Sequence, residues 1–121
     1  MSADRNRHLT AAASALRLWL AALTDDYDEG VAQVSMRAIA ELLTAAVESS
    51  RDPAFLVLHA KNLALTIEQA LWEACAGKPR PSTDDLRNVA EHVLALVGQA
   101  QAAAQAAGHQ AAAKGAETAH A

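Results

Sequence analysis

The stretch His59-Ala-Lys-Asn-Leu-Ala-Leu-Thr-Ile-Glu-Gln-Ala-Leu-Trp-Glu73 inverts a familiar pattern. Its polar residues His59, Asn62, Thr66, Gln69 and Glu73 recur at alternating steps of three and four. That rhythm is normally kept by the apolar residues of a core-facing helix. Projected at 100° per residue, the same segment has two apolar faces. Leu56, Ala60, Leu63, Ile67, Ala70, Leu71 and Ala74 gather on a wide one, the expected core face. Leu58, Leu65 and Trp72 gather on another, seven residues apart each time, with Lys61 and Glu68 along its edge. One buried face is enough for a helix in a free-standing bundle, so the second stripe calls for a cover.

The ends of this helix are marked. Asp52 is a suitable N-cap and Pro53 suits the first helical position. Gly77 suits the left-handed residue after the last turn, and Pro79 lies just beyond. The spacing predicts a helix over 53–76. Before it, Val31, Ser35, Ile39, Leu42, Leu43, Ala46 and Val47 form the inner face of a helix over 30–50, with Gln33, Arg37, Glu41, Thr44 and Glu48 outside. The short connection makes these two helices antiparallel neighbours.

The first helix is read over 8–24. Leu9, Ala12, Leu16, Trp19 and Leu23 form its core stripe, and Leu20 widens it. Its back carries Ala11, Ala15, Leu18 and Ala22, so it is apolar nearly all round and is expected to be central in the bundle or covered by another chain. A fourth helix follows the loop GKPRPSTDD, where Ser82 and Asp85 form an acidic variant of the capping box. Its apolar face is Leu86, Val89, Ala90, Val93, Leu96, Val97 and Ala100, with Arg87, Glu91, His92 and Gln99 outward. After Val97 no large apolar residue remains, and 101–121 is a low-complexity Ala/Gln-rich tail. The expected architecture is all-α: a four-helix antiparallel bundle over 1–100, dimeric, with an Ala/Gln-rich C-terminal extension.

Composition narrows the functional classes. The formal net charge of −4 disfavours nucleic acid, because attraction of Lys and Arg to phosphates dominates that affinity. A helix-turn-helix reading of the PRPST loop and the fourth helix fails for the same reason, since Asp84, Asp85 and Glu91 surround Arg87. The single cysteine, Cys75, excludes an internal disulfide and fits a reducing compartment. With no histidine at helical spacing to activate it, Cys75 is expected to be an inert packing residue. Arg17 interrupts the apolar run after Arg5 and Arg7, and no apolar stretch is expected to reach the ~20 residues of a membrane span. The expected location is cytoplasmic, with no membrane partner.

Catalytic and metal signatures are weak. The TDDYDEG segment, residues 24–30, fails the calcium-loop register, which would place Tyr27 and Glu29 at ligand positions and Met36 where the closing acid belongs. Asp28 or a neighbour is expected to cap the second helix instead. None of His8, His59, His92, His109 and His120 has a His or Cys at i,i+3 or i,i+4. There is no glycine-rich phosphate loop and no nucleophile elbow. The sequence therefore points to a non-enzymatic protein–protein interaction module without cofactor or metal. It would be a small acidic adaptor, chaperone, antitoxin or inhibitor, of bacterial or mobile-element type, acting as a homodimer with a further protein partner. Leu18, Leu58, Leu65 and Trp72 are the candidate interface, and His59, Asn62, Thr66, Gln69 and Glu73 a candidate polar binding stripe. The competing expectation is a small-molecule-binding bundle with those polar residues lining a pocket on the third helix.

Overall fold

A computed structural model of the chain describes residues 2–49 and 55–120, with side-chain surroundings for 5–49 and 55–106. Four helices follow in order: α1 (Ser2–Ala22), α2 (Glu29–Glu48), α3 (Phe55–Cys75) and α4 (Thr83–His120). Each packs on two neighbours in a closed ring: α1 on α2 and α4, and α3 on α2 and α4. Among the described residues, the α1–α3 and α2–α4 diagonals make no close backbone approach. Antiparallel order shows in the cross-links. Gln33 near the start of α2 donates to Glu68 in the second half of α3. Thr83 at the start of α4 donates to Thr24 just past the end of α1, and Gln101 farther along α4 donates to Thr10 farther back in α1. This is the expected all-α bundle.

The core stripe of α1 is the one its spacing predicts: Leu9, Ala12, Leu16, Trp19 and Leu23 are all buried, joined by Ala13. On α4, Leu86, Ala90, Val93, Leu96, Val97 and Ala100 are buried and Val89 half-buried, again as the apolar periodicity predicts. The two middle helices are rotated from their expected settings. On α2 the buried residues are Ala32, Met36, Ile39, Ala40, Leu43 and Ala46, while Val31 is 66% exposed. On α3 the buried stripe is Val57, Ala60, Ala64, Ile67 and Leu71, and Leu56 and Leu63 are only partly buried against it. The physical reason is close approach. Fully buried Ala60 and Ala64 let neighbouring backbones come near, while the larger leucines fill the edges of the contact.

Helix boundaries follow local chemistry. Asp28 is the N-cap of α2, its carboxylate accepting from the Val31 backbone N–H at 2.9 Å. The Asp85 N–H donates to the Ser82 hydroxyl at 3.1 Å ahead of α4. Gly77 has φ +91°, and the N–H groups of Gly77 and Lys78 bond the carbonyls of Ala74 and Glu73. That paired closure is a Schellman motif, which a residue with a Cβ enters only under strain. The Asp52–Pro53 start predicted for α3 lies outside the described residues.

Two expectations are corrected here. Cys75 is exposed at the end of α3 and takes no part in the core. In addition, one helix among the described residues, α2, is long and apolar enough to cross a membrane by length and composition alone. Its many alanines raise the mean hydropathy. Its inner stripe nonetheless packs in the bundle core, and Arg37, Glu41 and Glu48 lie on its exposed side.

Candidate functional site

The loop between α1 and α2 is held by a residue from the loop between α3 and α4. Arg80 donates through Nη2 to the carbonyls of Asp25 at 2.9 Å and Tyr27 at 3.0 Å, and pairs with Glu29 at 3.3 Å. Its guanidinium also lies 3.9 Å from the centroid of the Tyr27 ring, within cation–π range. The Tyr27 hydroxyl in turn donates to the Pro81 carbonyl at 2.6 Å. Arg87 donates to the Leu23 carbonyl at 3.4 Å and pairs with Asp84 at 3.7 Å, and Thr83 donates to the Thr24 carbonyl at 3.4 Å. Carbonyls that α1 leaves open at its end are met by donors from α4. Arg87, expected to point outward, is therefore a structural tie. The acidic TDDYDEG segment is a corner, braced by one arginine and one tyrosine that sequence spacing alone did not connect.

The apolar candidates fall on two separate surfaces. Leu58, Leu65 and Trp72 lie along the outward side of α3 at 44%, 39% and 58% exposure. Leu18, 73% exposed, belongs elsewhere. With Ala15 and Ala22 it forms one wall of a groove of about 500 Å³ whose other wall is Val31, Ser35 and Ala38 of α2. Trp19 and Ile39 lie at its base, and the Trp19 indole N–H donates to the Ala32 carbonyl at 3.2 Å, tying α1 to α2. Since α1 and α3 are diagonal, Leu18 and the α3 stripe do not share a face. Spacing within each helix revealed both exposed sets. That Leu18 and Val31 stand opposite each other depends on tertiary arrangement.

The polar stripe is an open surface. His59, Asn62, Thr66 and Gln69 are exposed and Glu73 is half-buried. Their contacts close within α3. The Thr66 hydroxyl donates to the Asn62 carbonyl at 2.9 Å, Gln69 reaches the Glu73 carboxylate at 3.5 Å, and the rings of Phe55 and His59 meet edge-on at 4.3 Å. A shallow depression beside the stripe is lined by Leu65, Thr66, Glu68, Gln69, Ala70 and Glu73, all from this one helix. Enclosure by a second helix, which a polar ligand pocket here would need, is not provided. At the edge nearest α2, Glu68 accepts from Gln33 at 3.0 Å and Arg37 at 3.1 Å. Arg37 also stands 3.9 Å from Glu41.

Among the described residues, no group of three or more His, Cys, Asp or Glu side chains is placed to hold a metal ion. No family model matches the chain, and neither a curated protein nor a solved structure is significantly similar to it.

Proposed function

We propose that this protein is a non-enzymatic interaction module that acts as a homodimer and binds a further protein partner, in the manner of a small acidic adaptor, chaperone, antitoxin or inhibitor. One observation carries the reading: Leu58, Leu65 and Trp72 form a continuous apolar line on the outward side of α3, with Trp72 58% exposed. An exposed tryptophan flanked by leucines and rimmed by polar side chains has the anatomy of an interface anchor. The acidic charge balance argues against nucleic acid as the partner. The lone free cysteine fits a cytoplasmic setting.

Light scattering coupled to size-exclusion chromatography tests the dimer. The expected mass is twice that of the 12.6 kDa chain. Leu58→Asp should shift it to the single-chain mass with the helical circular dichroism retained. A parent protein that stays at the single-chain mass at high micromolar concentration overturns the homodimer.

A further inference from the structure

The apolar line and part of the polar stripe of α3 form one surface. Phe55, Leu58, Asn62, Leu65, Gln69 and Trp72 succeed one another at steps of three, four, three, four and three, and all six are exposed. That is the alternation of a and d positions in a heptad, with Phe55, Asn62 and Gln69 at a and Leu58, Leu65 and Trp72 at d. The buried stripe Val57, Ala60, Ala64, Ile67 and Leu71 lies on the other side of the helix, so the seam points away from the core. Lys61 and Glu68 run along one flank, and His59, Thr66 and Glu73 along the other.

We propose that this seam pairs with the same seam of a second copy, the two α3 helices running antiparallel about a two-fold axis between Asn62 and Leu65. The proposal rests on the homodimer reading above and names its geometry. Charge complementarity selects the direction. In the antiparallel arrangement, flank positions of the same kind face each other. Lys61 then meets the partner's Glu68, and by symmetry Glu68 meets the partner's Lys61. In a parallel arrangement, Lys61 would meet the partner's Thr66, and Glu68 would meet the partner's Glu73, setting acid against acid on both sides. Lys61 has no ion pair with a described residue. Glu68 is turned toward α2 with its side chain 12% exposed, and the bonds it accepts from Gln33 and Arg37 both fall on Oε1, so Oε2 is the oxygen the partner's Lys61 would reach.

The axis also sets the core layers. Antiparallel a-to-d layering sets Phe55 against the partner's Trp72 at each end. Asn62 and Gln69 meet the partner's Leu65 and Leu58 between them. Each amide then faces a leucine and not another amide, which weakens the pair relative to an all-apolar seam.

The native Cys75 supplies the test without a new cysteine, since it is free and exposed. Spin labels on it should be roughly 35 Å apart in the antiparallel dimer, because each lies about a dozen residues from the axis at 1.5 Å per residue. Parallel pairing would bring them to roughly 10–20 Å, given helix spacings of 8–10 Å. Lys61→Glu should raise the dimer dissociation constant by about tenfold or more, with circular dichroism unchanged, because it sets two acids together at each of the two symmetric contacts. The long distance together with that weakening supports the pairing. A short distance, or a dimer that Lys61→Glu leaves unchanged, overturns it while the homodimer stands. A chain that remains single at high concentration overturns both.

Discussion

The outward face of α3 and the groove between α1 and α2 expose similar side chains in opposite shapes. On α3 the leucines and Trp72 stand on a convex ridge at heptad spacing, with Asn62 and Gln69 between them and charged residues at the edge. Between α1 and α2, Leu18 and Val31 border a concavity of about 500 Å³ with small residues such as Ala15, Ala22, Ser35 and Ala38 in its lining. A ridge with offset knobs can interleave with a copy of itself. Two facing grooves leave a void, and atoms lining a void lose their dispersion partners. Exposed apolar area is thus a poor guide to where a second copy sits, and pattern and curvature are better ones.

The largest effects should fall on the side the two helices share, their inward faces. Leu16 of α1 and Leu71 of α3 are fully buried. Leu16→Ala and Leu71→Ala should each cost about 2–5 kcal/mol, the range for leucine truncation in a packed core. Urea unfolding measures this, and comparable losses on the two helices would place their difference outside the core. A loss under ~1 kcal/mol at either site would mean that face packs loosely.

Next in size is Leu65→Asp, which sets a carboxylate beside the proposed two-fold axis. Dimer dissociation should increase by about a hundredfold, a central hot-spot effect of roughly 2–3 kcal/mol. Sedimentation equilibrium reads it directly. An unchanged dissociation constant would remove the α3 ridge from the interface. Smaller and of opposite sign is the expected effect of Asn62→Leu. Replacing a polar a residue by an apolar one tightens association by a few fold while relaxing register and oligomer number. Broadened mass distributions in light scattering would show that loss of specificity, and a homogeneous dimer of unchanged affinity would argue that Asn62 is solvated.

The sequence made the helices, their caps and the exposed α3 stripe legible because each depends on residues within a few turns. Asp28, Ser82 and Gly77 act on their own backbone neighbourhood, so spacing is enough to find them. The buried stripe of α1 was legible too, since Leu9, Leu16, Trp19 and Leu23 keep the three-and-four spacing of a single face. Where alanine and leucine mix on every side, as on α2 and α3, periodicity leaves the angle of burial open by a residue or so. Val31 and Leu56 were displaced from the core in this way. The Arg80–Tyr27 corner joins residues 53 apart in the chain, and no local pattern announces it. The same holds for the polar stripe. Its spacing was plain, but whether a second helix closes over it is a tertiary fact.

The smallest expected effect is the most direct check on the contrast between ridge and groove. Leu18 is the most exposed of the large apolar side chains described, at 73%, yet it stands beside a concavity on a helix diagonal to α3 in the ring. Leu18→Asp should change unfolding free energy by no more than about 0.5 kcal/mol, as exposed substitutions away from special features do. It should also leave dimer affinity unchanged. Paired with Leu65→Asp, it forms a matched experiment: the same charge added to an exposed leucine on each face, with the less exposed of the two giving the larger response. If Leu18→Asp dissociates the dimer as strongly, the second copy covers the α1–α2 side, and heptad pattern would lose its advantage over bare exposure in locating the contact.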